Sequence, residues 1–315
     1  MQEFWKKRKV LVTGANGFIG AWLCKKLVEK QAEIVGIVME RNSILQEHGI
    51  DGKIKEIEAD VTDAKKIDEI FEQEKPSVCF HLAAKSSTRQ ASLNLRQTFE
   101  VNVLGTFNVL NAAQKVSSDV VFVSSLKVYG GSTKNCFSEE QELNGNTAYA
   151  SSKICCERLC KMFADRNGLQ IGIARPSNTF GGYDLNEKRI VPVAVNKILK
   201  GEAPVLESSC ENSFDFLYVE DLVEGLMLLA EKVSESELKA EAFNFGSGKS
   251  TSLLELVELV ARVAGSDLKP VLKGKCVRSR ECLCIEKAER ELGWKPTHSL
   301  KEGLEKTVEC FKKGL

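Results

Sequence analysis

Several absences narrow the functions open to this 315-residue chain. It has no net charge, with 44 basic and 44 acidic residues, so it offers no electrostatic basis for binding nucleic acid or another polyanion. It has no apolar run approaching the ~20 residues of a membrane-spanning helix. Residues 1–9 are polar and basic, and no apolar signal-peptide segment follows them. We therefore expect a cytoplasmic protein that binds neither a membrane nor nucleic acid.

The cysteines and histidines lack the spacing of a metal site. The 11 cysteines include no CxxC pair, and the 3 histidines are scattered. Structural zinc sites need closely spaced ligands, so we expect no metal. The odd cysteine count and the absence of a secretion signal argue against a disulfide framework. We expect the cysteines to be reduced and to fill small apolar spaces.

What the chain does have is a glycine-rich turn between a strand pattern and a helix pattern. Residues 9–13 are apolar and β-branched, which is typical of a buried strand, and residues 18–30 have helical spacing. Between them Gly14, Gly17 and Gly20 form a GxxGxxG pattern. Such a turn places a dinucleotide pyrophosphate at a helix N-terminus. A bare glycine turn is the alternative, but the flanking strand and helix favour the dinucleotide.

Strand and helix patterns keep alternating as far as residue 180. We expect strands at residues 33–38, 55–60, 77–82, 119–125 and 170–175, and helices at residues 63–74 and 95–114. This alternation predicts an α/β fold with a Rossmann-type, doubly wound parallel sheet. After about residue 181 the pattern changes to shorter helices, loops and scattered strands, with a last helix near residues 300–312. We therefore expect a dinucleotide-binding domain over residues 1–180. Residues 181–315 would form a smaller C-terminal substrate-binding lobe, with segments returning to the first domain.

Tyr149 and Lys153 lie one helical turn apart in the run Tyr-Ala-Ser-Ser-Lys. A tyrosine with an ordinary pKa of ~10 is a poor base at neutral pH, and a lysine on the same helix face favours the phenolate. Ser125, at the end of the fifth predicted strand, can hydrogen-bond a substrate hydroxyl. The three residues predict a proton relay that accompanies hydride transfer to or from a nicotinamide. The alternative is a solvent-facing Tyr/Lys pair on an amphipathic helix.

Ten short motifs, in order along nearly the whole chain, resemble the extended short-chain dehydrogenase/reductases of the nucleotide-sugar epimerase/dehydratase group. Two stretches, GGYDLNEKRIVP and ECLCIEKAERELGW, are most similar to the CDP-glucose dehydratase-like branch. The resemblance implies an enzyme that oxidises a sugar hydroxyl to a transient 4-keto intermediate and then returns the hydride. The motifs are TGANGFIG at 13–20, Asp60-Val61, HLAA at 81–84, VNVLGTFNVL at 101–110, VSSLKVYG at 123–130, YASSK at 149–153, RPSNTFGGYDLNEKRIVP at 175–192, FDFLYVEDL at 214–222, FNFGSG at 243–248 and LGWKP at 292–296.

The resemblance also implies binding residues and a partner. Family members pair as homodimers through a four-helix bundle, which here would use helices 95–114 and 149–165. Candidate interface residues are Phe99, Val103, Phe107, Leu159 and Phe163. The nucleotide-sugar substrate would be bound by Ser87, Ser125, Asn178, Arg189 and Arg278. Besides Tyr149 and Lys153, the cofactor would be bound by Gly14, Asn16, Gly17, Phe18, Ile19, Gly20, Glu40, Arg41, Asp60, Val61, Leu82, Ala83, Ala84, Lys85, Asn102, Ser124 and Pro176.

The choice between NAD and NADP depends on the end of the second predicted strand. NAD enzymes place an acidic residue there for the ribose hydroxyls. The usual position, near Val38, is apolar, and Glu40 could serve in its place. Arg41 and Ser43 could instead hold the 2′-phosphate of NADP. The pattern favours NAD and leaves NADP as the alternative.

Three positions bear on the reaction. Dehydratases of this group carry an acid directly after the active-site Ser/Thr, whereas this chain has Leu126, which cannot protonate a leaving hydroxyl. Lys127 is either a catalytic base with a pKa lowered by burial or a solvated lysine. Phe214 replaces an arginine that grips the diphosphate in family members. An epimerase is favoured over a 4,6-dehydratase of the CDP-glucose or GDP-mannose type. An NADP-dependent carbonyl reductase or a non-catalytic dinucleotide sensor would also be consistent with such a fold.

Overall fold

The computed structural model describes residues 2–86, 88–131, 136–206, 212–236, 238–273 and 279–313. The strands are β1 Lys9–Thr13, β2 Glu33–Val38, β3 Lys55–Glu58, β4 Val78–His81, β5 Asp119–Val123, β6 Ile171–Pro176, β7 Asn178–Phe180, β8 Val205–Leu206, β9 Ser213–Phe214, β10 Phe216–Tyr218, β11 Lys239–Phe245, β12 Thr251–Ser252 and β13 Val271–Leu272. The α-helices are α1 Gln2–Trp5, α2 Phe18–Glu29, α3 Ile44–Glu47, α4 Ala64–Glu74, α5 Thr88–Leu93, α6 Leu95–Phe99, α7 Gly105–Lys115, α8 Ala148–Asn167, α9 Ile190–Leu199, α10 Val219–Glu235, α11 Leu253–Ala264, α12 Glu286–Leu292 and α13 Leu300–Lys312.

The central sheet has seven strands in the order β11-β6-β5-β4-β1-β2-β3. Each neighbouring pair from β6 to β3 is parallel, with Val10 opposite both Ile34 of β2 and Val78 of β4. Starting from β1, the chain adds β2 and β3 on one side of the sheet and β4, β5 and β6 on the other. This is the doubly wound arrangement. The predicted Rossmann-type α/β fold is therefore confirmed.

Both faces of the sheet are buried because successive strand residues point to opposite sides. Leu11, Cys79 and Phe122 belong to an apolar cluster with side chains of α4, α7 and α8. On β6, Gly172 leaves room for Leu229 and Val233 of α10, since a Cβ there would come within 2.8 Å of both side chains. In sheets of this kind, ligands bind outside the carboxyl ends of the strands.

Helix boundaries follow local sequence signals. Thr147 caps α8 by accepting the Ala150 main-chain N–H at 3.2 Å, and Gly168 ends the helix with a φ of +69°. Ser252 and Ser299 each form a capping box, with Glu255 and Glu302 respectively, at the starts of α11 and α13. These caps fix where the helices begin, and in α8 they fix the positions of Tyr149 and Lys153.

The chain forms two compact units that alternate along the sequence. Unit 1 comprises residues 1–130, 142–175 and 223–243, and it contains the central sheet. Unit 2 comprises residues 131–141, 176–222 and 244–315. Within unit 2, helices α9, α11 and α13 pack against one another, and β7 pairs in parallel with β10. The assignment of residues 1–180 to the cofactor and of residues 181–315 to the substrate stays a prediction.

The long helix predicted over residues 95–114 is interrupted. A π-helical turn over Glu100–Leu104 separates α6 from α7. The main-chain oxygen of Asn102, in this turn, accepts hydrogen bonds from the Thr106 hydroxyl and the Cys156 thiol. Single π turns inside α-helices are frequent at functional sites, and hydrophobic spacing does not reveal them.

The interpretation of every cysteine as a reduced filler is wrong for two of them. Cys136 and Cys282 form a disulfide, with 4.4 Å between their Cα atoms. The main chains beside them pair as a parallel bridge between Phe137 and Leu283, where the Phe137 N–H donates to the oxygen of Cys282 at 2.7 Å. The residues are 146 positions apart, so sequence spacing gave no signal for this pairing. The free thiols in the described residues are Cys24, Cys79, Cys155, Cys156, Cys160, Cys284 and Cys310.

In the described part of the chain, every helix is too short or too polar to cross a membrane. The same residues bring no three His, Cys, Asp or Glu side chains together in a way that could hold a metal ion.

Candidate active site

The glycine turn joins β1 to the N-terminus of α2. Gly14 has a φ of +70°, which favours glycine, and a Cβ at Gly20 would overlap the main-chain oxygen of Gly14. Gly17 precedes the first residue of α2 and provides no side-chain cap. The first turn of α2 begins at Phe18 and Ile19, and a helix N-terminus of this kind suits a diphosphate.

The end of β2 lies beside this turn. The Asn16 amide donates to the main-chain oxygen of Glu40 at 2.6 Å, which ties the glycine turn to the residues after β2. The Glu40 side chain is exposed, whereas Arg41 forms an ion pair with Glu58 at 3.1 Å. An exposed carboxylate at this position suits ribose hydroxyls.

The ends of β3 and β4 bring further predicted cofactor residues to the same edge of the sheet. Asp60 accepts the Thr62 N–H at 2.9 Å, and Val61 is buried against Gly105 at the start of α7. The loop after β4 contains Leu82, Ala83, Ala84 and Lys85, and the N–H groups of Leu82 and Ala83 both donate to Thr13 Oγ1 at 3.1 Å.

Asn102 links this loop to α8. Its Oδ1 accepts the Lys85 N–H at 2.8 Å, and its Nδ2 donates to Ser152 Oγ at 2.9 Å. Ser152 in turn donates to the main-chain oxygen of Tyr149 at 2.8 Å. Asn102 thus links the loop after β4 to the first turns of α8, and the motif alone does not reveal this contact.

A buried histidine, which the sequence did not single out for this role, connects β1, β4 and α7. His81 Nδ1 lies 2.7 Å from Thr13 Oγ1, and His81 Nε2 lies 3.0 Å from Thr106 Oγ1. The Thr13 hydroxyl already accepts two N–H groups, so its proton points to Nδ1, and Nε2–H donates to Thr106. Burial, with a smaller contribution from the Lys153 charge, lowers the pKa of His81 to about 3. The imidazole is therefore neutral and acts as a fixed connector.

Tyr149 and Lys153 are buried on the first turns of α8. Lys153 Nζ donates to the main-chain oxygen of Val123 at 2.7 Å and lies 4.7 Å from the centre of the Phe122 ring. Helix α8 packs on the 3₁₀ turn Leu126–Tyr129, which follows Ser125. The alternative of a solvent-facing Tyr/Lys pair is therefore wrong.

Ser125 is the N-cap of the 3₁₀ turn, and its Oγ accepts the Lys127 N–H at 3.2 Å. Gly145 holds this turn close to α8: its N–H donates to the oxygen of Val128 at 2.9 Å, and a Cβ there would come within 2.6 Å of the Ala150 Cβ. Only glycine fits this contact. Sequence reasoning missed Gly145, because its importance depends on two segments meeting in space.

The two residues after Ser125 differ in exposure. Leu126 is 2% exposed, so this position is apolar and shielded from water. Lys127 is half-buried. Both interpretations of Lys127, as a catalytic base and as a solvated lysine, stay predictions.

Residues 10–246 match the sequence model of the NAD-dependent epimerase/dehydratase family. The chain belongs to this family.

Two curated relatives and one solved structure illustrate the similarity of this epimerase/dehydratase family member. A Methanocaldococcus jannaschii protein, provisionally assigned as a UDP-glucose 4-epimerase, is 30% identical over 96% of this chain and 98% of its own. UDP-glucuronic acid decarboxylase 1 of Xenopus tropicalis is 29% identical over 98% of this chain and 73% of its own. The crystal structure of Thermotoga maritima UDP-glucose 4-epimerase with UDP-glucose has a TM-score of 0.88 at 27% identity, covering 97% of this chain and 99% of that chain.

The remaining candidate residues of this family member lie at the end of β6 and in unit 2. Pro176 is the buried last residue of β6, and Asn178 Nδ2 donates to the main-chain oxygen of Asp215 at 3.0 Å. Arg189 immediately precedes α9 and pairs with Asp184 at 3.1 Å. Ser87 and Arg278 lie outside the described residues.

Phe214 occupies β9, opposite Thr251 of β12, and its ring centre is 6.4 Å from that of Phe216. The next residue, Asp215, is fully buried and accepts N–H groups from Ser247 at 2.7 Å and Leu283 at 3.1 Å. Phe214 is thus held in place by its neighbours, and this family member presents a half-buried aromatic ring where its motif predicts a cation.

Proposed function

We propose that this protein is an epimerase-type enzyme of nucleotide sugars that uses NAD. Gly14, Gly17 and the first turn of α2 would hold the diphosphate of the cofactor, and the exposed Glu40 would hold a ribose. The ion pair of Arg41 with Glu58 supports NAD over NADP, because it engages the guanidinium that a 2′-phosphate would need. A bound NAD would supply the hydride acceptor and donor for a substrate carbon.

Tyr149 would take the proton of the substrate hydroxyl. Lys153, whose ammonium is held by the oxygen of Val123, would favour the phenolate by its charge. The Ser125 hydroxyl would orient the substrate oxygen. A 4-keto sugar results, and protonation of its oxygen by Tyr149 on the return step regenerates the resting enzyme. Asn178, Arg189 and, outside the described residues, Ser87 and Arg278 are proposed to bind the nucleotide-sugar substrate.

The observation that carries the epimerase assignment is the burial of Leu126 directly after Ser125. A dehydratase must protonate a leaving hydroxyl, and this apolar position offers no acid. An epimerase needs only the proton relay and freedom for the keto sugar to present its other face. Lys127 is the remaining group on this turn that could serve a dehydratase as a base.

Assembly and location are also proposals. A homodimer is supported by exposed apolar side chains on α6, α7, α8 and the π turn, namely Leu95, Phe99, Leu104, Phe107 and Met162. Phe163 instead is buried, with its ring centre 5.7 Å from that of Phe107. A cytoplasmic location is supported by the free thiols, which suit a reducing compartment, although the disulfide between Cys136 and Cys282 is unusual there.

Incubation with a panel of nucleotide sugars, read by mass spectrometry and NMR, tests the proposal. Unchanged mass with a changed NMR spectrum is the expected result. Loss of water would establish a dehydratase, and loss of carbon dioxide a decarboxylase. Tyr149→Phe is the control for chemistry: it should bind NAD normally and lose turnover by about 100- to 10,000-fold. Turnover within about tenfold of wild type would refute the proton relay.

A further inference from the structure

A buried ion pair, which the proposed chemistry does not use, lies next to the turn that follows β5. The side chains of Glu157 on α8 and Arg175 on β6 are 2% and 5% exposed. The guanidinium donates twice to one carboxylate, from Nη2 to Oε2 at 2.6 Å and from Nε to Oε1 at 3.0 Å. A two-point contact of this kind fixes both groups in one relative orientation.

Each partner of the pair also holds one end of the turn. Ser124 donates its hydroxyl to Glu157 Oε1 at 2.6 Å. Arg175 Nη1 donates to the Tyr129 hydroxyl at 2.9 Å, and the guanidinium carbon lies 5.0 Å from the centre of the Tyr129 ring. Ser124 directly precedes Ser125, and Tyr129 is the last residue of the 3₁₀ turn. The ion pair therefore holds segment 124–129 at both ends.

The position of Glu157 on α8 connects this segment to Tyr149. Tyr149, Lys153 and Glu157 follow one another at intervals of four residues, so they lie along one face of α8. Lys153 binds the oxygen of Val123, and Glu157 binds the hydroxyl of the next residue, Ser124. One helix face thus fixes two consecutive residues of the chain that leads to Ser125.

Stability alone is a weak reason for such a pair. Taking two charges out of water is costly, and apolar side chains of similar volume are often as stabilising or more so. Burial alone would lower the pKa of Arg175. The hydrogen bonds and charge of Glu157, together with the contact between Arg175 and Tyr129, outweigh burial, so the pKa of Arg175 is raised. The guanidinium of Arg175 is therefore charged at any working pH, and the two outward contacts of the ion pair give it a geometric role.

We propose that Glu157 and Arg175 are positioning residues that hold segment 124–129, and with it Ser125, at a fixed place relative to Tyr149. The inference rests on the proposed function for the roles of Ser125 and Tyr149. A misplacement of about 1 Å can cost about 100-fold in rate, so a pair that acts through its neighbours controls kcat.

Two variants, Ser124→Ala and Tyr129→Phe, test the proposal. Each removes one outward hydrogen bond of the ion pair and leaves the ion pair itself in place. Each should lower kcat by about tenfold, with KM for the nucleotide sugar within about twofold of wild type. Ser234→Ala is a matched control: it removes a serine–carboxylate bond of the same 2.6 Å length, to Asp119 at the other end of β5. Tyr218→Phe removes a phenol–carboxylate bond to Glu220 at 3.2 Å. Unchanged kcat in the test variants, or equal losses in the controls, would overturn the positioning role.

A measurement that does not depend on turnover tests the positioning role separately from the proposed function. Hydrogen–deuterium exchange of a peptide spanning residues 124–130 should rise by about fivefold in Ser124→Ala and Tyr129→Phe and stay at the wild-type rate in the controls. A wild-type protein that converts no nucleotide sugar would refute the proposed function, and the exchange measurement would still decide whether the pair holds the turn. Wild-type exchange in both test variants would sink the proposal.

Discussion

The ammonium group of Lys153 donates to the main-chain oxygen of Val123 across 2.7 Å. Val123 is the last residue of β5, so the lysine is fixed to the sheet as well as to α8. Burial is the main effect on the pKa of Lys153 and lowers it, while Cys156, Cys160 and Glu157 oppose this shift. The Val123 oxygen gives the charged form a hydrogen-bond partner in a place that water does not reach.

Lys153→Met should lower kcat by about 100- to 10,000-fold, because no positive charge then favours the Tyr149 phenolate. Activity that remains should require a higher pH than in wild type. Lys153→Arg, which keeps the charge but not the shape, should recover part of the rate. The pH dependence of kcat measures both effects, and a Met variant with the wild-type profile would contradict the assigned role.

Leu126→Asp separates the two reaction types. In an epimerase, the new carboxylate enters a buried apolar position and carries a desolvation cost. The activity should then fall or stay unchanged. In a dehydratase that lacks its acid, the same change should raise the rate of water loss by up to about 100- to 10,000-fold. Leu126→Asn is the uncharged control of equal shape, and mass spectrometry is the measurement. A gain in dehydration specific to Asp would replace the epimerase assignment.

The proposed dimer predicts that a charge on the exposed apolar face dissociates the protein. Phe107→Glu should give a monomer mass by light scattering at micromolar concentration, because a carboxylate in an apolar interface is desolvated without a partner. Leu185→Glu, at another exposed leucine, should leave the mass unchanged. A monomeric wild type would refute the dimer.

His81 predicts a pH dependence of stability. Its pKa falls from an ordinary 6.5 to about 3 on folding, chiefly through burial. Between these values the unfolded chain binds a proton at His81 that the folded chain does not bind, so the free energy of unfolding decreases as the pH falls. The slope for this group is at most about 1.4 kcal/mol per pH unit.

Urea denaturation of wild type and His81→Gln from about pH 7 to about pH 4 measures this slope. The variant should be less stable near neutrality but should lose less stability with falling pH. His48, whose pKa burial lowers to about 4, adds a second slope of the same sign, so His48→Gln is the comparison. Parallel curves for wild type and His81→Gln would show that His81 is not buried as a neutral group.

Because Cys136 and Cys282 form a disulfide, we expect two peptides of the digested protein to be joined through these residues. Non-reducing peptide mapping should recover Cys136 bound to Cys282. Cys136→Ser should lower the free energy of unfolding by about 2–5 kcal/mol under oxidising conditions, because the bond closes a long loop in the unfolded chain. Cys310→Ser, at a free thiol, should have little effect. Recovery of both cysteines as free thiols from air-exposed protein would contradict the pairing.

Patterns with a local cause were readable from the sequence. The buried strand β1, the glycine turn and α2 follow from apolar spacing and backbone sterics within a few residues, and the predicted strand at residues 33–38 coincides with β2. The i,i+4 spacing of Tyr149 and Lys153 gave their shared helix face. The same spacing extended by one step would have found Glu157.

Features that depend on contacts between distant segments were not readable. Gly145 matters because Val128 and Ala150 surround it, and His81 matters because Thr13 and Thr106 lie on either side. The π turn at Asn102 interrupts a helix whose hydrophobic spacing is continuous. Each depends on tertiary contacts, which a periodicity in one sequence does not encode.

The alternation of the two units constrains how this protein can evolve. The sheet of unit 1 is completed only by β11, after the chain has already contributed residues 131–141 and 176–222 to unit 2. A single cut therefore releases neither unit whole, and a ribosome must deliver most of the chain before either can close. Recombination at one junction cannot exchange unit 2 for another. Under the proposed function, substitutions at single positions such as Leu126 and Phe214 are then the direct route to a new specificity.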